Sequence, residues 1–397
     1  MGLRFWRKQP AETKSIGLAD PAALELFGAV PTSAGIQVGP GNALRVPAVS
    51  GAVGLISETA GSLPVKLYDR QSRTVETSHP AHRLIHDEAN EWTSAEQLRV
   101  LLTADALMHG HGYAYVVRLG NGEPYELHRI EPGKCIAKQE TDGTPFYEVH
   151  TPNGVLRYEY TDILHVAAFG GISPIHLARE AIALAIAFER HIGSLFANGG
   201  RPSGIIQSSK MLDVEAKKKI AASWFNTHGR QNAGGTAILD EGMTYHQISM
   251  TLTDAQFSEN RLEQIREIAR AFRIPPTMIG ELTRGTWSNT EEMGRQFLTM
   301  TLNPWLKTWE WAYARVLLSP EERRRLYFEF VVDDLITTNA QARAASYGQY
   351  RAMGAMTANE VRAGLNMPPL PGGDELGNPF TTSNVRPAVG SPQGDDE

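Results

Sequence analysis

A long amphipathic helical pattern runs from Asp254 toward Arg273 and meets two consecutive prolines, Pro275 and Pro276. Proline has no amide hydrogen to donate and its ring obstructs the preceding turn, so one continuous helix is excluded. Beyond the prolines the chain reads Thr283, Arg284, Gly285, Thr286, Trp287 and Ser288, and a second helical pattern then restarts from the capping box Ser288 and Glu291. A polar, glycine-containing segment must therefore sit between two helices. It offers hydroxyls with no base beside them, which argues against a catalytic loop.

The rest of the chain is organised around that break. Residues 1–40, rich in Ala, Gly and Pro, read as a flexible arm. A helix is expected from about Val46, with Val49, Val53, Ile56 and Ala60 on one face, followed by the strand "VKLYDR". A second helix opens at Ser94 with Gln97 as a capping box and passes through "HGHGY" into the strand "YAYVVRL". Strands at "YELHRI", "FYEVH", "LRYEY" and "ILHVAA" complete an α+β region with an antiparallel sheet. Ser173 and Pro174 open a long helix ending near Asn198 and Gly199. A β-α-β-β insert follows, its helix opened by Asp213 and its last two strands turning at Glu241 and Gly242. The restarted helix is expected to reach about Leu318 with a kink at Pro304. The strand "YFEFVV", the helix "NAQARAASYGQYRAMG" and a short helix opened by Thr357 and Glu360 come last, before a disordered tail at 371–397.

Composition removes several classes of function. A single cysteine, Cys135, admits no intramolecular disulfide and no CxxC metal or redox pair. The run Ala181 to Phe188, bracketed by charges, is far short of the ~20 apolar residues a membrane span needs, so no membrane partner is expected. The N-terminal "MGLRFWRKQP" lacks the apolar core of a signal peptide. A net charge of −6 does not suit a protein that grips nucleic acid over its whole surface, although it permits light contact with DNA.

The motifs carry little chemistry. His109 and His111, with His128 or His165 on neighbouring strands, could be assembled into a metal site, but no carboxylate or cysteine stands at ligand spacing and the glycines fit a tight turn. "GPGN", "GNGE" and "NAGGT" are turns, since none matches a phosphate-binding loop. Asp333 and Asp334 read as a strand end, and Lys217, Lys218 and Lys219 as a solvated helix face that could touch phosphate. No cofactor or catalytic residue is expected, and any nucleotide hydrolysis must belong to another chain. The helix from Asp254 to Arg273 carries Asp254, Glu259, Glu263 and Glu267 against Arg261, Arg266, Arg270 and Arg273, a sum of zero. It reads as a surface helix with i,i+4 pairs, or as a helix packed between like neighbours in a ring.

Taken in order, "VSGAVGLISETAGSLPVKLYDR", "MHGHGYAYVVR", "DILHVAAFGGISPIHLAREAI", "TAILDEGMTYHQIS", "QFSENRLEQIREIARAFRIPPTMIGE", "WSNTEEMGRQFLTMTLNPWLKTWE" and "TANEVRAGLNMPPLPGGD" resemble the portal proteins of tailed bacteriophages and gene transfer agents. The likeness spans about residues 30 to 375 in the compact branch of that family. It implies an α+β wing at 41–173 and stem helices at 174–198 and 253–273. It further implies a clip at 199–252, a tunnel loop at 274–289, a kinked helix and returning strand at 290–334, and a short helical crown at 335–370. The implied protein is a ring, usually of twelve copies, at one capsid vertex of the particle, assembled in the host cytoplasm and passing double-stranded DNA. Its implied partners are the major capsid protein, the terminase large subunit that drives packaging, and the head–tail adaptor. The loop residues Thr283 to Ser288 are expected to face DNA, Arg266, Arg270 and Arg273 to face the stem lumen, and Lys217, Lys218, Lys219 and Arg230 to form a docking surface on the clip. Rival readings are a metal-dependent hydrolase using His109 and His111, and a ring-forming adaptor that passes no DNA.

Overall fold

A computed structural model describes residues 32–197, 204–208, 211, 213–228, 243–247, 253–281, 290–332, 340–365 and 367–376. The chain forms two compact units, Met1–Phe330 and Val331–Glu397. In the first unit, α1 (Pro47–Ser62) leads into β1 (Val65–Asp69), α2 (Pro80–His86) and α3 (Ala95–His109). Strands β2 (His111–Arg118), β3 (Pro124–Ile130), β4 (Cys135–Gln139), β5 (Pro145–Thr151), β6 (Gly154–Glu159) and β7 (Ile163–Ala167) follow. They build two antiparallel three-stranded sheets, ordered β3-β2-β7 and β4-β5-β6. Next come α4 (Arg179–Ala197), β8 (Gly204–Gln207), α5 (Val214–His228), β9 (Thr244–Gln247) and α6 (Thr253–Phe272). The unit closes with α7 (Thr290–Gln296), α8 (Asn303–Leu317) and β10 (Leu326–Phe330). The fold is α+β.

Local sequence explains most helix starts. Ser94 accepts the Gln97 N–H at 3.0 Å to open α3, and Asp213 accepts the Ala216 N–H at 2.6 Å to open α5. On α1 the spacing of Val49, Val53, Ile56 and Ala60 buries one face, and α1 packs on α3, where Gly61 lies against Val100. Trp309 of α8, fully buried, donates its indole N–H to Thr103 of α3 at 2.9 Å, which fixes the register between the two helices. Arg129 of β3 bridges Asp105 of α3 through two 2.7 Å contacts, so the carboxylate is buried only with its partner in place. β1 pairs antiparallel with β10, Val65 opposite Phe330 and Leu67 opposite Phe328, which returns the far end of this unit to its first strand.

The glycines of "HGHGY" serve a turn. Gly110 ends α3 at φ 92°, and Gly112 brings β2 so close to α3 that an added Cβ would stand 2.2 Å from the Leu102 carbonyl oxygen. Gly112→Ala is therefore expected to cost about 2–3 kcal/mol by forcing strand from helix. Gly120→Ala, where an added Cβ meets nothing within 4 Å, is the matched control in thermal melts.

Several expectations need correction. The helix expected from Pro174 is two pieces: the turn Pro174–Leu177, capped by Ser173, and α4, separated at Ala178 with φ −93° and ψ 10°. Just beyond the break, Glu180 accepts both the Ser33 N–H and hydroxyl, so the arm expected to be flexible over 1–40 is held from residue 32. A helix at Pro80–His86 and strand β4 were not expected. In β4 only Cys135 is buried, so its sequence shows no alternation. The kink expected at Pro304 is a π-helical segment, Phe297–Leu302, between α7 and α8. There the Asn303 N–H reaches back five residues to Leu298, and Pro304, which has no N–H, lies in the first turn of α8. Of the two strands expected about the Glu241 turn, the one after it is β9, while the one before it and the cap at Ser288 lie outside the described residues.

In the second unit, a helix (Ala340–Ala352) precedes a shorter one (Ala358–Gly364) opened by a full capping box. Thr357 accepts the Glu360 N–H at 3.1 Å and Glu360 accepts the Thr357 N–H at 2.7 Å. Asn359 accepts the Leu370 N–H and donates to Asp374, so order runs past 371, the expected start of the tail. No helix among the described residues is long and apolar enough to cross a membrane.

Candidate functional site

Helix α6 packs on α1 and α4 and buries Ile268, Ala269 and Phe272. At 3.6 residues per turn the opposite side carries Glu259, Glu263, Arg266, Glu267 and Arg270, three carboxylates against two guanidiniums. The ion pairs are i,i+3 rather than the expected i,i+4: Arg266 with Glu263 at 3.4 Å, and Arg270 with Glu267. Exposed pairs of this kind are individually weak, worth about 0.5 kcal/mol. Their consequence is electrostatic: the outward side of α6 is close to neutral.

The three arginines expected on this face have different fates. Arg270 is exposed. Arg266 also reaches Glu281 at 3.3 Å, a carboxylate only 5 % exposed, and so ties α6 to the chain beyond the prolines. Arg273 leaves the helix altogether at φ 58°. Its N–H bonds the Arg270 carbonyl at 3.1 Å and the Ile274 N–H bonds the Ala269 carbonyl at 3.0 Å, a Schellman ending with an arginine where glycine is usual. The guanidinium then lies 4.8 Å from the centre of the Phe169 ring. The helix thus stops two residues before the first proline, and the prolines bar continuation rather than make the turn.

Past Arg273 the chain stays anchored. Ile274 is buried, Pro276–Ile279 form a 3-10 turn, and Ile279 lies against Gly51 of α1. From the other side, Thr301 of the π segment donates its hydroxyl to the Arg273 carbonyl, and Thr277 donates to the Met293 sulfur at 2.9 Å. Thr283, Arg284, Gly285, Thr286, Trp287 and Ser288 lie outside the described residues. The segment therefore springs from two roots joined side by side. Lys217, Lys218 and Lys219 are exposed on α5, and Arg230 lies outside the described residues.

Of the histidines proposed for a metal only His111 and His165 meet, and they meet as a hydrogen-bonded pair. His111 Nδ1 is 3.0 Å from His165 Nε2, and the Tyr147 hydroxyl is 3.0 Å from His165 Nδ1. Burial pushes His165 down to about 3, so it stays neutral and serves as a link in a hydrogen-bond chain. His128 is bonded to Glu126 at 2.9 Å. Among the described residues no group of three or more His, Cys, Asp or Glu side chains could hold a metal ion. Burial pushes the Cys135 thiol up to about 12, outside the range of a reactive thiolate.

Comparison with known proteins agrees over most of the chain. The family model described as "Phage portal protein" matches residues 47–366. The chain is 28 % identical over 351 residues to the portal protein of Enterobacteria phage HK97, covering 83 % of this chain and 81 % of that one. It is 29 % identical over 379 residues to a probable portal protein of Streptomyces phage phiC31, covering 89 % and 81 %. Among solved structures, a chain in the neck of a native gene transfer agent particle, computed with C12 symmetry, superposes with a TM-score of 0.58 at 22 % identity, covering 88 % of this chain and 100 % of that one.

Proposed function

The chain belongs to the phage portal protein family, and from that premise we propose that it forms a closed ring, twelve-fold in the particle, at one vertex of a phage or gene transfer agent capsid. The ring is the conduit through which double-stranded DNA enters during packaging and leaves at ejection. In this reading residues 41–173 form the wing, α4 and α6 the stem, β8, α5 and β9 the clip, 274–289 the tunnel loop and 335–370 the crown. The chain supplies no catalysis. A terminase large subunit hydrolyses nucleotide beneath it, a head–tail adaptor replaces that motor later, and the major capsid protein surrounds the wing.

The observation that carries this reading is the near-neutral outward side of α6. A conduit for a sliding polyanion must avoid tight binding, because each phosphate neutralised releases counterions and adds salt-dependent affinity that opposes movement. Three carboxylates among two arginines on each copy, repeated around a ring, repel the duplex slightly more than they attract it. Head-to-tail closure also needs two different complementary faces on each protomer, which the exposed charges of α4 and α6 supply.

Native mass spectrometry with negative-stain imaging of the purified protein tests the ring. The expected result is closed particles with a central hole. A protein that stays monomeric both alone and when co-produced with its capsid protein would overturn the proposal.

A further inference from the structure

The ribbon β1–β10 buries Leu67, Leu326 and Phe328 and turns Tyr68 and Tyr327 outward as opposed residues. Their rings stack with centres 5.6 Å apart. The guanidinium carbons of Arg70 and Arg73 lie 5.0 and 5.8 Å from the centre of the Tyr327 ring, and Arg73 Nη1 donates to the Tyr327 hydroxyl at 3.0 Å. Arg73 does this from φ 60°, in a turn drawn by Asp69, whose side chain accepts the N–H groups of Gln71 and Ser72. Glycine would adopt that conformation at less cost, so what the position gains from arginine is its side chain.

Beside this platform is a pocket of about 300 Å³, floored by Ala314, Leu326 and Phe328 and walled by Trp311, which is 63 % exposed. The cations around it divide into two groups. Arg325 is taken by Asp69 at 3.1 Å and Glu76 at 3.5 Å, and Lys307 by Glu310 at 2.7 Å. Among the described residues Arg70, Arg73, Arg323 and Arg324 have no carboxylate within 4.0 Å.

We propose that this platform docks an acidic segment of a partner protein, which seats one apolar side chain in the pocket beside Trp311 and pairs its carboxylates with Arg70, Arg73 and Arg323. Charge complementarity selects the occupant. Guanidinium forks match carboxylates in pairs, and exposed aromatic residues beside arginines are the usual anchors of protein interfaces. Nucleic acid fits less well, because Glu310 lines the pocket and Glu329 shares the outward face with Tyr327, and a continuous run of phosphates meets them where a peptide with spaced carboxylates need not. The inference does not depend on the ring and survives if the ring fails.

Fluorescence anisotropy of the full chain with a labelled peptide of glutamates bracketing one leucine tests it. Arg70→Ala combined with Arg73→Ala, and separately Trp311→Ala, are expected to weaken the peptide about tenfold or more each, with unchanged melting. Replacing the leucine by serine is expected to weaken binding to the wild type but to make little difference to the Trp311 variant. No saturable binding, or binding indifferent to the arginines and to Trp311, overturns the proposal. A labelled DNA duplex that binds more tightly than the peptide and is lost with the same arginines overturns it in favour of nucleic acid.

Discussion

Arg99→Met is expected to destabilise the Met1–Phe330 unit by about 4 kcal/mol, read as a shift in its main urea transition. Arg99 is 3 % exposed, with its charge buried among backbone carbonyls. Its guanidinium instead donates to the carbonyls of Gly61 at 3.1 and 2.8 Å, Ile85 at 2.7 Å and Leu63 at 3.4 Å. Those carbonyls end α1 and α2, where helix geometry leaves acceptors without a partner. One side chain of α3 therefore closes the ends of two other helices. Methionine preserves much of the length and the packing but supplies no donor, so buried acceptors are left unsatisfied, and that asymmetry outweighs the relief of removing a buried charge. Arg99→Lys keeps the charge with its donors on one nitrogen, and is expected to recover about half of the loss. A loss below about 1 kcal/mol for Arg99→Met would show that water reaches these carbonyls readily and that the clamp is dispensable.

Residues of this kind mark the limit of what the sequence discloses. Ser94, Asp213 and Thr357 were legible as helix starts because each bonds a backbone N–H three residues away. Arg99 acts on carbonyls 14 to 38 positions away, and the sequence shows only a charge inside the apolar run "LRVLL". That mismatch was the one available signal. Arg273 was read as channel-facing because it continues the charge pattern of α6. Its left-handed backbone takes it off the helical wheel, and its side chain lies on Phe169, more than 100 positions earlier. Arg266 kept its helical position but reaches Glu281 across the proline break, where periodicity carries no information. Pro304 announced a disturbance in the long helix. Its form, a widened turn with a five-residue reach, depends on Phe297, Leu298, Thr301 and Leu302 all being buried at once, which is a property of the surrounding core.

Replacing Thr283 to Ser288 with glycine and serine of equal length is expected to leave the fold and the ring intact and to empty the particles of DNA. The two ends of the segment are held without help from its own residues. The Schellman ending at Arg273, the buried Glu281 with Arg266, and the contacts of Thr301 with Arg273 and of Thr277 with Met293 all lie outside the replaced stretch. Equal length keeps loop closure unchanged, so melting should follow the wild type. What disappears is Arg284 and Trp287, the charge and the bulk that the segment brings from each copy. The side of α6 facing outward is close to neutral and offers the duplex little hold, so a conduit built this way needs its grip elsewhere, and in the proposed reading this segment supplies it. Counting DNA-filled against empty heads, with the variant as the sole source of the ring, gives the result directly. Filled heads at the wild-type level would show that the loop does not hold the DNA and send the search to α5 and its lysines. Failure of the rings themselves would instead show that the two roots depend on the loop, against the contacts that join them.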